Sequence, residues 1–593
     1  MKKDIITEII SSTSIILILF SALLINSCGE DFLYKKPTGV VSLEDFNTKE
    51  GVDLLLTASY TLLKGAAIKA GWPAEAYSAS ITNWVWDCAS DDAYKGSTLS
   101  DLAEGGEVER FVAMPTNPHI INKWVVMYDG ISRANDCINA ILDAKDMTQA
   151  EKDIAMGQAK FLRGFYHFRI QRMHYQVPFI SNEEDFPENV KNDHPIWPEI
   201  EQDLSDAIEL LPESFSGEPG RATKYAAMAV KAYVHLHQGE YSDASPLLDQ
   251  IINSGKYSLA NHYFHNFDFD HQNNQESIFE IQRAVNDGTA QGFNGTPDIW
   301  TTNPPTTSGL PVCCGMYQPS MDLVNAFKVD ENGLPLLGIN GPRFDETNLA
   351  NDMGLLPTDE FVPPSDLLDP RLDWTVARRG IPFMDWGICT GWARDPSNGG
   401  PFELKKRMYP KSLVGIASHK AFARSTAINT RLYRYAHVLL WRAECAVEEN
   451  NLELARSLVN QVRKRSSDDF IMGRVYSYTF PNAPGSVDAE VNWEEPAANY
   501  LLGEYKSFPS QDYAREAVRM ELRLETAMEG NRFFDLRRWG ILGEVIPAYI
   551  AKDSQFRTFM QGAVFNVDKH DYWPLPQSQL DIQPEVLQQD PAW

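Results

Sequence analysis

The sequence has few cysteines for its length and no motif that would hold a metal ion. Seven cysteines are spread over 593 residues, which is too sparse for a scaffold stapled by disulfides. No CxxC motif occurs, and no group of cysteines and histidines has the spacing of a zinc site. We therefore expect no disulfide framework, no metal site and no cofactor.

Positive charge is also scarce. The chain has 53 lysines and arginines against 81 aspartates and glutamates, which gives a formal net charge of −28. Binding to the phosphate backbone of a nucleic acid requires a basic surface, so the composition argues against that function. The same charge argues against attachment to an anionic lipid surface by electrostatics alone.

The signature motifs of common hydrolases and nucleotide-binding enzymes are missing. The sequence contains no G-x-S-x-G, no GxxxxGK[ST] and no HExxH. A glycoside hydrolase needs two carboxylates across a cleft, but among 81 acidic residues a pair such as Asp91 and Asp92 is not diagnostic. We expect a protein that is not an enzyme, and we keep a glycoside-active enzyme as an alternative.

The apolar run at the N-terminus is too short to cross a membrane. It covers residues 15–25, whereas a membrane-spanning helix needs about 20 residues. Its length is typical of a signal peptide. It ends at Ile25-Asn26-Ser27-Cys28, which resembles a bacterial lipobox. We interpret residues 1–27 as a lipoprotein signal peptide, Cys28 as the lipid attachment residue and residues 28–45 as a lipidated tether.

Helical periodicity dominates two blocks that flank a loop-rich insert. The pattern predicts a helical frame over residues 46–255 and 431–593, and an insert over residues 256–430. Within the insert, residues 291–320 contain four glycines and five prolines, which is typical of loops. Residues 277–282 (SIFEIQ) alternate and predict a strand. A long loop region in a globular protein is usually functional, so we expect the insert to bind the ligand.

The two helical blocks contain similar helix pairs at an offset of 211 positions. The matching positions are Ala232 with Ala443, Tyr241 with Leu452, Ala244 with Ala455, and Leu248 with Val459. Small residues allow two helices to approach closely, and larger residues fill the gap between them. This pattern is typical of tetratricopeptide hairpins, although two generic antiparallel helix pairs remain an alternative.

Several segments, in order along the chain, resemble the SusD/RagB family of outer-membrane lipoproteins. They are the lipobox, residues 90–92 (SDD), 124–135 (WVVMYDGISRAN), 159–168 (AKFLRGFYHF), 369–380 (DPRLDWTVARRG), 435–446 (YAHVLLWRAECA), 529–540 (EGNRFFDLRRWG) and 573–576 (WPLP). The resemblance runs from Cys28 to Trp593. Any one of these segments is weak by itself, and their common order carries the resemblance.

This resemblance implies a mainly α fold, in which tetratricopeptide-like helix pairs form a right-handed superhelical frame packed against a loop-rich insert with few short strands. It implies a lipid-anchored protein on the cell surface, in the outer membrane. It also implies a partner, a TonB-dependent SusC-like transporter over which the protein sits as a lid. The cargo would be an oligosaccharide, with a peptide or glycopeptide as the alternative.

Two charged segments have no functional assignment. Arg532, Arg537 and Arg538 lie close in sequence to acidic residues of the 521–535 region, so we expect arginine–carboxylate pairs in a packed junction. Residues 405–407 (KKR) form a short basic run, which we interpret as a solvated edge.

A binding protein for sugars is expected to stack aromatic side chains against the C–H faces of the rings. Candidates should lie in loops, because side chains on helix stripes are usually core. By this criterion the candidate glycan-binding residues are Trp300, Trp392, Trp386, Tyr317 and Tyr94. Trp84 and Trp86 fit a segment that enters the core.

Overall fold

The structure is a computed structural model of the chain. It describes residues 43–64, 83–289, 294–295, 314–339, 341–356, 359–391, 393–420, 425–479 and 488–593. The predicted signal peptide, Cys28 and nearly all of the predicted tether lie outside this part of the chain.

Helices make up most of the regular structure, as the periodicity predicts. In chain order they are α1 (Lys49–Thr61), α2 (Trp84–Asp87), α3 (Ala103–Glu109), α4 (Pro118–Asp143), α5 (Gln149–Gln171), α6 (Trp197–Leu210), α7 (Lys224–Gln238), α8 (Tyr241–Asn253), α9 (Met321–Ala326), α10 (Arg371–Thr375), α11 (Pro396–Gly399), α12 (Tyr435–Glu448), α13 (Leu452–Arg465), α14 (Gln511–Glu525), α15 (Arg532–Arg538), α16 (Leu542–Asp553), α17 (Val567–His570) and α18 (Gln577–Ile582). Among the helices described, none is both long and apolar enough to cross a membrane.

The strands are short and form two-stranded ladders. They are β1 (Ala93–Gly96), β2 (Ser277–Ile281), β3 (Met316–Pro319), β4 (Leu367–Leu368), β5 (Val376–Ala377), β6 (Glu403–Leu404), β7 (Thr430–Arg434), β8 (Met472–Thr479), β9 (Asp488–Pro496) and β10 (Asn499–Tyr500). The pairs β1–β3, β2–β7, β5–β6 and β8–β9 are antiparallel, and β4–β10 is parallel. The strand predicted at residues 277–282 is confirmed as β2.

The frame is a continuous stack of helices. Helices α1, α4, α5, α6, α7, α8 and α12 each pack against the next, and α13 and α14 close the stack on α12. Helix α5 begins with a capping box between Thr148 and Glu151, which pairs two of the amide groups left free at a helix start. Its aromatic face, Phe161, Phe165 and Phe168, is fully buried, so it forms part of the main core.

The repeat at an offset of 211 positions is confirmed in detail. Helices α7 and α8 correspond to α12 and α13, whose starting residues are each 211 positions later. Gly239 ends α7 with a φ of 75°, and Asn450 follows α12 with a φ of 57°. The amide of Glu240 donates to the carbonyl of His235, and the amide of Asn451 donates to that of Ala446. The two hairpins therefore turn in the same way.

A second core joins the insert to the C-terminal helices. Trp84 and Trp86 of α2 are buried in it, as predicted, and Trp86 contacts Trp573 of the 573–576 segment, with the ring centroids 5.2 Å apart. The cysteines Cys88, Cys137, Cys389 and Cys445 are buried and free. Cys314 is disulfide-bonded.

A network of buried ion pairs lies where the frame meets the insert. Glu521 and Glu525 extend from α14, and Arg371 of α10 contacts them at 2.7 and 2.8 Å. Arg434 contacts Glu525 at 2.6 Å and Glu529 at 2.8 Å. All five side chains are almost completely buried. An unpaired charge would be very costly here, so each ion is held by several opposite charges.

One expectation about a charged segment is wrong, and a second is confirmed with different partners. The 405–407 run is not a solvated edge: Lys405 and Lys406 are buried, and Lys406 contacts Glu529 at 3.0 Å. A lysine stem is long enough to carry its ammonium group inward when a carboxylate is there to receive it.

The packed junction around Arg532 and Arg538 is confirmed, but with other partners. Arg532 pairs with Asp91 at 2.8 Å, and Arg538 pairs with Glu444 at 2.6 Å and Asp535 at 2.7 Å. Of these three carboxylates, only Asp535 is one of the acidic residues close in sequence that we expected as partners. The other two carboxylates come from segments far away in the sequence.

Candidate functional site

The five aromatic residues predicted to bind the ligand do not share one environment. Trp300 and Trp392 lie outside the described residues. Tyr94 and Tyr317 are 0% and 1% exposed, whereas Trp386 is partly exposed. A stacking side chain must offer one ring face to solvent, and of the three described candidates Trp386 meets that condition.

Tyr94 is a core residue in β1. Its hydroxyl donates to Asp553 at 2.6 Å and accepts from the amide of Met321 at 3.0 Å. The guanidinium of Arg557 lies 3.6 Å from the ring centroid. Burial, with the nearby charge of Asp553, raises the pKa of Tyr94 well above its usual value. The ring has no face free for a ligand.

Tyr317 of β3 is held in the same manner. Its hydroxyl donates to Asp87 at 2.6 Å, and its ring contacts Trp84, with the centroids 6.2 Å apart. Burial, together with the charge of Asp92, raises the pKa of Asp87 to about 7. Tyr317 therefore ties β3 to α2 within the second core, whereas Tyr94 packs in a separate cluster with Tyr549 and Met560.

Trp386 lies in a tight turn of the insert. Residues Met384–Trp386 form a 3-10 helix, and Gly387 follows with a φ of 103°. The amide of Phe383 donates to the carbonyl of Gly387 at 2.8 Å, which closes the turn. The indole N–H of Trp386 donates to the carbonyl of Tyr409 at 2.9 Å. These bonds fix the ring while part of it stays in contact with solvent. We call residues 382–388 the aromatic turn.

A second partly exposed tryptophan, Trp374 of α10, lies beside this turn. Its indole N–H donates to the carbonyl of Asp469 at 2.6 Å, and its ring meets the edge of His262 at 4.7 Å. Lys405 connects it to the aromatic turn. The ammonium group lies 5.1 Å from the centroid of the Trp374 ring and donates to the carbonyl of Pro382 at 3.0 Å.

The β8–β9 hairpin supplies a third tryptophan. Trp493 of β9 is 60% exposed. Its ring covers Gly473 of β8: a Cβ atom at Gly473 would lie 2.8 Å from the Trp493 ring and 3.0 Å from Pro382. Only glycine leaves room for this contact, and its φ of 116° is also one that favours glycine. Trp493 is therefore seated on the hairpin next to the aromatic turn.

Three tryptophans thus converge on one turn of the insert. Trp386 belongs to the turn, Trp493 and Pro382 of the turn both border Gly473, and Lys405 lies between the Trp374 ring and the Pro382 carbonyl. We call Trp374, Trp386 and Trp493 the aromatic face. Indole rings that are exposed in part and held by hydrogen bonds or close packing can stack against a flat apolar surface at little entropic cost. The C–H face of a sugar ring is such a surface.

Two titratable groups beside Trp374 have lowered pKa values. Burial, with the charges of His265 and Arg465, lowers the pKa of His262 to about 4. Burial lowers the pKa of Lys405 to about 7, although Asp373 acts in the opposite direction. Burial acts to raise the pKa of Asp385, in the turn itself, but the amides of Ser412 and Lys411 outweigh it and lower that pKa, so the face also carries a negative charge.

Trp374 and Trp493 are missing from the predicted site, and the sequence contains a signal for one of them. Residues 488–496 (DAEVNWEEP) mix apolar and acidic residues, and a strand of this kind has a solvated face on which Trp493 can lie. Trp374 offers no such signal, because it lies within the 369–380 segment of the insert, which carries the family resemblance and has no loop pattern that indicates an exposed ring.

Comparison with known proteins relates the chain to one family. The model of the SusD family matches residues 275–593, which is more than half of the chain. A second model, described as starch-binding and associating with the outer membrane, matches residues 59–236.

Relatives and solved structures agree with these matches. SusD-like protein P25 of Formosa agariphila is 22% identical over 97% of this chain and 98% of its own length. The surface glycan-binding protein A of Bacteroides thetaiotaomicron, solved in complex with laminarihexaose, covers 92% of the chain at 20% identity with a TM-score of 0.64. A laminarin-binding SusD-like protein matches with the same coverage, identity and TM-score. The chain belongs to the SusD family.

Proposed function

We propose that the protein is a non-catalytic glycan-binding lipoprotein of the cell surface that captures oligosaccharide and delivers it to a TonB-dependent transporter. The observation that carries this proposal is the convergence of Trp374, Trp386 and Trp493 on the aromatic turn. Proteins of similar fold include a surface glycan-binding protein solved with laminarihexaose and a SusD-like protein described as binding laminarin. A stacking surface for sugar rings fits both observations.

The aromatic face supports binding rather than hydrolysis. A glycoside hydrolase needs an acid and a second carboxylate on opposite sides of the scissile bond. Two buried acidic residues behind the face are engaged elsewhere. Asp469 accepts the amide of Tyr263 at 2.8 Å, and Asp373 pairs with Arg378 at 2.6 Å. The sugar would be held by stacking and by hydrogen bonds without bond cleavage.

Anchoring and delivery are the parts of the proposal that rest on family membership and on the N-terminal sequence. Cys28 in the lipobox would carry the lipid, and two or more acyl chains anchor a protein stably where one chain does not. Trp300 and Trp392 remain candidate binding residues. Trp392 directly follows Gly391, close to the aromatic turn in the sequence, and would extend the aromatic face.

The proposal is tested by calorimetric titration of the chain with a panel of neutral oligosaccharides that includes laminarihexaose. A stacking residue at a binding hot spot contributes about 2 kcal/mol. We therefore expect Trp386→Ala and Trp493→Ala each to lower the affinity at least about tenfold, with little change in the melting temperature. The matched control is Phe186→Ala, because Phe186 is 63% exposed on the frame and should have no effect.

Binding that is unchanged in both tryptophan variants would contradict the proposed site. Failure of every oligosaccharide to bind, with binding of peptides instead, would favour the peptide alternative. Release of reducing ends by the wild-type protein would contradict a non-catalytic role. Delivery is tested separately: a TonB-dependent barrel should co-purify with the protein from mildly solubilised outer membranes, and Cys28→Ala should release the protein from that membrane.

A further inference from the structure

A loop between α8 and β2 contains a histidine or aspartate at every third position. These residues are His262, His265, Asp268 and His271. Residues Tyr263–Asn266 form a 3-10 helix, which has three residues per turn. Residues three positions apart therefore lie on one side of the helix, and His262 and His265 are adjacent, with ring centroids 5.2 Å apart.

Three of these side chains bring their donor atoms together. One donor atom each from His265, Asp268 and His271 lies within 4.8 Å of both others. Nδ1 of His271 is 2.7 Å from one carboxylate oxygen of Asp268 and 2.9 Å from the other. The rings of His265 and His271 stack, with centroids 3.6 Å apart and an interplanar angle of 16°.

Buried partners fix the backbone that carries these side chains. Arg431 of β7 donates to the carbonyls of His265 and His271, at 3.5 and 3.3 Å. The same guanidinium donates to Asn266 at 2.6 Å and pairs with Glu280 of β2 at 2.8 Å. Arg431 and Glu280 are both buried. Arg431 of β7, paired with Glu280 of β2, thus holds the backbone at His265 and at His271, from which two of the three side chains extend.

We propose that His265, Asp268 and His271 form a binding site for a zinc ion. Two imidazole nitrogens and one carboxylate oxygen are a set that zinc takes in proteins with a fourth position left open. Calcium and magnesium prefer oxygen ligands alone, so this set selects against them. The His271 side chain is 43% exposed, and its ring has room to rotate out of the stack so that its nitrogen meets the ion.

A second group with suitable atoms, Glu201, His235 and Glu240, is a weaker candidate. It offers one nitrogen, and His235 is already bonded to Glu240 at 2.7 Å. Glu201 lies 4.0 Å from Nδ1 of His235 and accepts a hydrogen bond from the side-chain amide of Gln238 at 2.7 Å. The number of imidazole nitrogens separates the two groups, one here and two in the first, since a histidine–carboxylate bond of 2.7 Å is present in both.

The proposed zinc site would brace the aromatic face. His262 lies between His265 and Trp374, with ring centroids 5.2 Å from the first and 4.7 Å from the second. An ion that fixes His265 would limit the movement of His262 and hence of the Trp374 ring. The site stands on its own ligands, so it would exist whether or not the aromatic face binds a sugar.

The test is titration of the metal-free chain with Zn²⁺, in competition with a chromogenic chelator. We expect one equivalent to bind, with the affinity reduced at least tenfold in His265→Ala and in His271→Ala. The control is His194→Ala. His194 is also an exposed histidine between two carboxylates, at 2.7 Å from Asp193 and 2.9 Å from Glu199, and its loss should leave the zinc affinity unchanged. Ca²⁺ at the same concentrations should not compete.

His271→Ala removes a half-exposed ring and should keep the fold, which the melting temperature of the metal-free variant will verify. The proposal fails if the wild type binds no zinc. It also fails if His265→Ala and His271→Ala retain the wild-type affinity, or if His194→Ala abolishes binding. A wild-type melting temperature that rises with Zn²⁺, and does not rise in His271→Ala, supports it by a second measurement.

Discussion

At the scale of single residues, removal of the Tyr94 hydroxyl tests whether this residue stabilises the fold or binds the ligand. It donates to the buried carboxylate of Asp553 at 2.6 Å and accepts from the Met321 amide. A hydrogen bond to a charged group contributes about 1.5–3 kcal/mol. We expect Tyr94→Phe to lower the free energy of unfolding by about 1.5 kcal/mol or more, measured by urea denaturation, and to leave oligosaccharide affinity unchanged.

Tyr476→Phe is the matched control for this experiment. Tyr476 also bonds a carboxylate, that of Glu495, but it is 59% exposed. Surface substitutions of this type usually change stability by less than about 0.5 kcal/mol. Equal effects of the two substitutions would contradict the role assigned to Tyr94. A loss of affinity in Tyr94→Phe without a loss of stability would return Tyr94 to the list of binding residues.

The tyrosines also indicate which site residues a sequence can predict. Tyr94 and Tyr317 have the loop setting that predicts exposure, but their partners are 459 and 230 positions away. No local pattern contains those partners. Trp386 is predictable because glycine follows it and a tight turn holds it. Trp374 becomes part of the site only through Lys405, which the sequence suggested was solvated.

At the scale of elements, the repeated hairpin is the part that the sequence predicts best. The offset of 211 positions depends on local spacing, and both the helices and their turn repeat it. Ala232, Ala244, Ala443 and Ala455 are all fully buried, because a small side chain is what lets neighbouring helices approach closely. The insert is less predictable, since its short strands pair with segments that are distant in the sequence.

The turn after α7 provides a prediction for this scale. Gly239 has a φ of 75°, and a Cβ atom there would meet nothing within 4 Å, so only backbone strain limits substitution. Asn450 occupies the equivalent position with a φ of 57°, and asparagine tolerates this region better than other residues. We expect Gly239→Asn to be nearly neutral and Gly239→Val to cost about 1–2 kcal/mol in urea denaturation. If Gly239→Asn costs as much stability as Gly239→Val, asparagine is not tolerated at position 239 as it is at position 450. The two turns would then differ in conformation.

At the scale of the whole molecule, the distribution of charge cannot be predicted from its total. The net charge of −28 determines the electrostatic field outside the protein. Many of the few lysine and arginine side chains, however, are buried inside it. Arg371, Arg434, Arg463 and Arg557 are all fully buried and paired with carboxylates. The pairs of Arg371, Arg434 and Arg463 join α10, α13, α14 and β7, and Arg557 pairs with Glu109 of α3 and Asp553 of α16. The frame and the insert are therefore held together by ions as well as by apolar contacts.

This network makes stability depend on pH in a defined direction. Burial acts to raise the pKa of Glu529, but Arg434 and Lys406 outweigh it and hold the pKa well below its usual range. In the unfolded chain Glu529 takes up a proton near its ordinary pKa of about 4.3, whereas in the folded chain it does not. The unfolded state therefore binds more protons below about pH 4.3, and the stabilisation from Glu529 is lost as the pH falls further.

Glu529→Gln isolates this contribution, because the variant keeps the shape of the side chain and removes its charge. Breaking a buried ion pair costs about 3–5 kcal/mol, since Arg434 and Lys406 lose an opposite charge. We expect a loss of that size in urea denaturation at pH 7, where Glu529 is charged in both states. Below about pH 4.3 the difference from the wild type should shrink by up to about 1.4 kcal/mol per pH unit. A difference that stays constant from pH 7 to pH 3 would show that Glu529 does not remain ionised in the folded protein, and a difference that grows would contradict the assigned sign.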